Sequence, residues 1–506
     1  MNISKMVETH ALRNPDREAV IAENAVLSWL EFNSRIDSLG SALKQLGVEK
    51  GDRVALHLPN SPEYMISYFA VARIGAVVVP LNIMYKRTEI KYIINNSGAS
   101  VFIAPAENAK ENILGILDQL PGVKHLIVTG EEIEGGTLSF SRLIEEHKGS
   151  SLEILECDPD DTVTIMYTSG TTGQPKGAVL THSNFWEQAR LMAHYVLHIN
   201  DQDRFLPATP YTHIFFVFGV LGPIYKGATV VCMPRFFPDT ALEWISKYRV
   251  THFCGVPTMY IQMLHHYQEN QGEYDLRSWR FAQSAGAAMP EELIYRVEDN
   301  FNVGYCECYG STETSTTCTY ERLGHVKPGS IGLPPHNWQV KIVNDENREV
   351  PVGEVGEILV KGPGLFKKYW EMPEETAAAF TGEGWFHTED LAYEDEDGYM
   401  FMVGRKKEMI ICGGYNIYPR EIEELLYTHP AILEAAVVGI SDETRGEIPK
   451  AFVVLKPNQQ VAADEIVSFC KERIAAYKVP RVVEFMSDLP KSATGKILKQ
   501  RLAQKV

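Results

Sequence analysis

Apolar positions near the start of the chain recur with two different periods. Behind Ser28 and Glu31, which have the spacing of a capping box, Trp29, Phe32, Ile36, Leu39, Leu43 and Leu46 follow one another at intervals of three and four. That is the stripe of an amphipathic helix, and Gly47 stops it. The run Arg53-Val-Ala-Leu-His-Leu58 reads as a strand, Ser61 to Arg73 as the next helix, and Gly75-Ala-Val-Val-Val-Pro80 as a buried strand. Strand and helix keep alternating, with further apolar runs at 101–104, 125–128, 162–167 and 228–233. Near-continuous apolar strands separated by helices predict parallel sheets covered on both faces, so the expected fold class is α/β.

Composition narrows the function classes. A chain of 506 residues, 45% apolar and 23% charged, can bury a large core without disulfide staples. Its net charge of −18 argues against general binding to nucleic acid or anionic membranes, whose phosphates it would repel. The charge is uneven: residues 405–506 hold 16 Lys and Arg against 13 Asp and Glu, a small basic unit behind an acidic body. Two apolar stretches fail as membrane spans. Residues 65–84 contain Arg73, Gly75 and Pro80, and residues 214–225 are short and hold Gly219, Gly222 and Pro223. With no signal-peptide core at the N-terminus, a cytoplasmic protein is expected. The eight cysteines have no metal-ligand spacing and read as reduced thiols.

The strongest local chemistry is Tyr167-Thr-Ser-Gly-Thr-Thr-Gly-Gln-Pro-Lys-Gly177, directly after an apolar strand. Its glycines, Gly170 and Gly173 among them, allow tight turns that aim backbone N–H groups at phosphate oxygens. The hydroxyls of Thr168, Ser169, Thr171 and Thr172 add donors, and Lys176 adds a positive charge. No Gly-Lys-Ser/Thr closes the loop, so it is not the common P-loop.

This segment resembles the phosphate loop of the adenylate-forming superfamily, which includes acyl-CoA synthetases, adenylation domains and luciferases. Four further segments resemble that family's elements in order. They are Tyr309-Gly-Ser-Thr-Glu-Thr314, Trp385-Phe-His-Thr-Glu-Asp390, the stretch Gly404-Arg-Lys-Lys-Glu408 through Glu423, and Pro490-Lys-Ser-Ala-Thr-Gly-Lys-Ile-Leu498. The likeness spans essentially the whole chain. It implies a large N-terminal domain, residues 1–403, of stacked sheets with a distorted β-barrel. A small, mobile α+β lid, residues 404–506, would follow.

The resemblance also implies a reaction: ATP, Mg²⁺, a small-molecule carboxylic acid and coenzyme A, joined through an acyl-adenylate. Two anions must meet, so a cation has to stand between carboxylate and α-phosphate. Lys496 on the lid is the implied candidate. Thr312 and Glu313 are the other implied catalytic groups, with Glu313 the Mg²⁺ ligand. Gly286, Ala287, Glu307, Tyr309 and Gly310 would line the adenine site, and Asp390 and Arg405 would hold the ribose. Lys407 is the implied hinge, and Gly413 and Gly414 would border the pantetheine path. The segment 210–219 resembles the acyl-pocket element, with His213 near the carboxylate and Phe218 in the wall. It has no Asp to bind an α-ammonium group, so an acid without an amine is preferred. The overall pattern most resembles bacterial fatty-acid–CoA ligases of medium or long chain length. An aromatic acid, or a carrier-protein thiol as acceptor, stays open as an alternative, and so does a homodimer. Two departures from the family pattern stand out: Glu389 where a glycine is usual, and Ser-Ala-Gly-Ala-Ala at 284–288.

Overall fold

The computed structural model describes residues 1–133, 135–168, 175–270, 272–287, 289–322, 324–492 and 495–504. Among these, the strands form four sheets. The first has eight strands, in the order Lys368–Tyr369, Lys176–Thr181, Thr162–Thr168, Val77–Pro80, Arg53–Leu56, Val101–Pro105, His125–Thr129, Leu138–Ser139. Its middle is parallel, as the apolar runs predict, and the paired strands Thr162–Thr168 and Lys176–Thr181 add an antiparallel edge. The second, also of eight strands, has a parallel core built from Arg204–Pro207, His252–Gly255, Phe281–Ser284 and Gly304–Tyr309.

Where a distorted barrel is expected, Gln339–Val343, Gly356–Lys361, Phe386–Glu394 and Met400–Arg405 form a four-stranded antiparallel sheet. The fourth sheet belongs to a separate C-terminal domain. It contains Ile410–Cys412, Tyr415–Ile417, Ile432–Asp442 and Gly446–Leu455, with Val482–Phe485 added in parallel. This domain has its own core of Ile417, Ile422, Leu426, Val437, Val453 and Ile466. A single turn of 3₁₀-helix, Lys406–Glu408, follows Met400–Arg405 and leads into it.

The helix read from the first stripe spans Trp29–Gln45, and its capping box forms: the Glu31 N–H donates to Ser28 Oγ at 3.2 Å and the Ser28 N–H to Glu31 Oε2 at 2.9 Å. Beside it lies Pro62–Arg73, N-capped by Ser61 and buried along nearly its whole length. Hydrophobicity all round a helix marks the centre of a large core. No helix among the described residues is long and apolar enough to cross a membrane. The eight cysteines are free and buried.

Arg73, only 1% exposed, is held in this core by Asp37 of the neighbouring helix, by Ser4 Oγ at 2.9 Å and by Asn33 Oδ1 at 2.8 Å. Removing the guanidinium strands a desolvated carboxylate, which typically costs about 3–5 kcal/mol. Arg73→Met should therefore lower stability to chemical unfolding by about that amount, and Asp37→Leu in the same chain should recover most of the loss.

Candidate active site

Strand Gly304–Tyr309 runs into a turn, residues 310–317, that carries the most strained backbone near the site. A Cβ on Gly310 would lie 1.6 Å from the Thr316 carbonyl oxygen, so no other residue fits there. Ser315 has φ of +54° and Thr316 φ of +112°. Such conformations cost non-glycine residues about 1–3 kcal/mol each and persist only where the surroundings hold them. Part of the hold is local: the Ser315 N–H donates to Thr312 O at 3.0 Å, the Thr316 N–H to Ser311 O at 3.1 Å, and the Ser311 N–H to Thr314 Oγ1 at 2.7 Å. Thr312 and Glu313 ride on this turn.

Glu313 is tied to the first sheet. Its Oε1 accepts from Tyr369 Oη at 2.9 Å, and the Lys176 ammonium sits 5.1 Å from the Tyr369 ring centre. The short strand Lys368–Tyr369 pairs antiparallel with Lys176–Thr181, which is why tyrosine, lysine and carboxylate meet. Thr168, at the other end of the hairpin, donates through Oγ1 to Lys176 O at 3.4 Å. The expected phosphate contacts Ser169, Gly170, Thr171, Thr172 and Gly173 lie outside the described residues.

A second cluster forms on the antiparallel sheet. Asp390 and Arg405 are register partners on adjacent strands. Arg405 Nε lies 3.1 Å from Asp390 Oδ1, and Tyr309 Oη donates to Asp390 Oδ2 at 2.7 Å. Burial raises the Asp390 carboxyl, while Arg405, Tyr309 and Lys496 pull it back. Lys496 arrives from the C-terminal domain. Its loop rests on the larger domain through Thr258, whose Oγ1 donates to Gly495 O at 3.4 Å. Burial and the like charge of Arg405 lower the Lys496 pKa, against the pull of Asp390 and Glu408. His213 feels the same ammonium: burial first, then Lys496, brings its pKa down to about 4, so the imidazole is neutral at pH 7. Its Nδ1 accepts from the Phe215 N–H at 3.3 Å, and the Phe215 ring lies 5.4 Å from Phe218 within the main core. Gly286 stands against the same wall, 4.0 Å from a Phe215 ring carbon to a built Cβ, with Ala287 beside it.

The remaining expected residues have contacts and places of their own. Glu307, expected at the adenine site, turns its carboxylate inward, accepting from the Met289 N–H and from Tyr305 Oη, both at 3.3 Å. Residues 305, 307 and 309 lie on one face of this strand and Cys306 and Cys308 on the other, so Glu307 shares the face of Tyr309. Gly413 and Gly414 form the exposed tip of the hairpin between Ile410–Cys412 and Tyr415–Ile417. Lys407 lies in the 3₁₀ turn, and its Nζ is 2.9 Å from both carboxylate oxygens of Glu389. Glu389 has φ of +60°, the left-handed conformation a glycine takes without strain. Sequence reasoning missed Tyr369, which belongs to no motif, and Gln188, a buried helix residue described below.

Burial pushes the Glu307 carboxyl up to about 8, with Glu321 adding to the rise and Arg420 opposing it. Glu321, also buried, is raised to about 7. The folded state thus keeps protons that an unfolded chain releases near pH 4.3, and stability falls as pH rises from about 4.3 to 8. Glu307→Gln should flatten that decline in unfolding experiments run between about pH 5 and pH 8.

Residues 7–370 match the AMP-binding enzyme family and residues 421–496 its C-terminal domain. The chain is 36% identical to a long-chain-fatty-acid–CoA ligase of Bacillus subtilis (strain 168), over 99% of this chain and 94% of that one. It is equally, 36%, identical to a feruloyl-CoA synthase of an Amycolatopsis species, over 97% of this chain and 96% of the other. Among solved structures it superposes on the anthranilate CoA ligase AuaEII in complex with anthranoyl-AMP with a TM-score of 0.94 at 32% identity, covering 100% of this chain and 97% of that one. With these matches spanning nearly the whole chain, the chain belongs to the AMP-binding enzymes and is an AMP-forming acid–CoA ligase.

Proposed function

We propose that this ligase activates a medium- or long-chain fatty acid, with Lys496 as the cation of the adenylation step. The observation that carries the mechanism is the approach of Lys496, from a separate domain, to Asp390, Arg405 and His213. The acid's carboxylate attacks the α-phosphorus of ATP and pyrophosphate leaves. The CoA thiolate then attacks the acyl carbon of the mixed anhydride and AMP leaves. Lys496 offsets the repulsion between the two reacting anions in a largely desolvated place, where one charge counts for more than in water.

Asp390 and Arg405 hold the ribose, and Tyr309 offers its ring to adenine, with Gly286, Ala287 and Gly310 lining the same slot. Thr168, Lys176 and the loop between them take the phosphates. Thr312 donates to the α-phosphate, and Glu313, a hard anionic oxygen beside that hydroxyl, fits Mg²⁺. When bound, that ion neutralises phosphate charge. The domains divide at residues 403 and 404, Lys407 serves as hinge, and rotation there exchanges Lys496 for Gly413 and Gly414 beside the CoA thiol.

The apolar wall of Phe215 and Phe218 next to neutral His213, together with the fatty-acid relative, supports an alkyl chain. A hydroxycinnamate or benzoate is the second reading, favoured by the equal identity to the feruloyl-CoA synthase. AMP release from ATP and Mg²⁺ with and without CoA, across acetate to C18 acids plus benzoate and a hydroxycinnamate, separates them. CoA-dependent turnover peaking on C8–C18 acids is expected; a peak on the aromatic acids would overturn the alkyl reading, and turnover without CoA dependence would point to a carrier-protein acceptor.

Lys496→Ala should abolish acid-dependent pyrophosphate exchange and spare thioester formation from supplied acyl-adenylate. Gly414→Leu should do the reverse. Equal loss of both half-reactions in either variant would remove the division of labour between the two faces. Because Lys496 acts as a cation with a lowered pKa, exchange should fall on an alkaline limb below the ordinary lysine value of about 10.4. Lys496→Arg should shift that limb upward.

A further inference from the structure

We propose that Gln188 is a positioning residue for adenylation: its buried side-chain amide holds the strained turn that presents Thr312 and Glu313. The inference rests on the roles given above to those two residues. Gln188 lies on the helix His182–Leu191 and is 0% exposed. Its Nε2 donates to Thr314 O at 3.1 Å and to Thr317 O at 2.9 Å, which spans Ser315 and Thr316.

The same helix fixes the far side of the turn. One turn earlier, Asn184 Nδ2 donates to Pro363 O at 2.7 Å and to Leu365 O at 3.0 Å. The next residue in that segment, Phe366, donates its N–H to Glu313 O at 2.8 Å. Gly364 lets the segments close: a Cβ there would lie 2.3 Å from Gln188 Nε2 and 2.7 Å from Thr314 O. The helix itself is set by a capping box between Thr181 and Asn184, so it acts as a fixed reference. Without the amide, two buried carbonyls would lose their donors while two residues remain in left-handed backbone, and the turn would relax. Displacing reactive groups by about an ångström can cost a hundredfold in rate.

The test is Gln188→Met, which keeps bulk and removes both donors. Acid-dependent pyrophosphate exchange should fall about ten- to hundredfold in kcat, and the Mg²⁺ concentration for half-maximal rate should rise. Thioester formation from supplied acyl-adenylate should change by less than about twofold, a split that general loss of packing would not give. Gly364→Ala, which displaces the amide without removing it, should show the same split more weakly and covers the case in which the methionine variant does not fold. Unchanged exchange, or equal loss in both half-reactions in a folded variant, would overturn the proposal. Glu313→Gln is measured alongside. If it leaves the Mg²⁺ dependence unmoved, the metal role of Glu313 is what fails, and the positioning role is then decided by the exchange rate alone.

Discussion

The Asp390 carboxylate is the constraint around which the rest of the molecule is arranged. Burial makes its charge costly, and the protein answers with groups drawn from three separate parts of the fold. Tyr309 comes from the end of the second parallel sheet, Arg405 from the neighbouring antiparallel strand, and Lys496 from the C-terminal domain. A buried charge is tolerated only where opposite charge and hydrogen bonds surround it.

Much of this was legible in the sequence because it is local. The capping box at Ser28 and Glu31, the buried parallel strands and the hairpin from Tyr167 to Gly177 are written in residues close together in the chain. The resemblance of five ordered segments implied a shared role for Asp390, Arg405 and Lys496. What could not be read depends on contacts between distant residues. Tyr369 reaches Glu313 across 56 positions and Gln188 reaches Thr314 across 126, and neither belongs to a pattern of its own. Alternation puts Glu307 on the same face of its strand as Tyr309, but its partners Met289 and Tyr305 could not be read from spacing.

The substitution of glutamate for the usual glycine at position 389 ends in a physical trade. Backbone freedom is given up, as its φ of +60° shows, and a carboxylate is gained within 2.9 Å of Lys407. The two side chains are 50% and 51% exposed, so the pair is worth no more than about 1 kcal/mol. It joins the connecting 3₁₀ turn to the strand carrying Asp390, alongside the ion pairs that Lys406 of the same turn makes with Asp345 and Glu357. The turn between the two domains is thus held in part by solvent-exposed ion pairs, each worth no more than about 1 kcal/mol, whereas the Asp390 side chain is only 7% exposed. Added salt therefore screens the exposed pairs of the connecting turn more than it screens the buried Asp390 carboxylate.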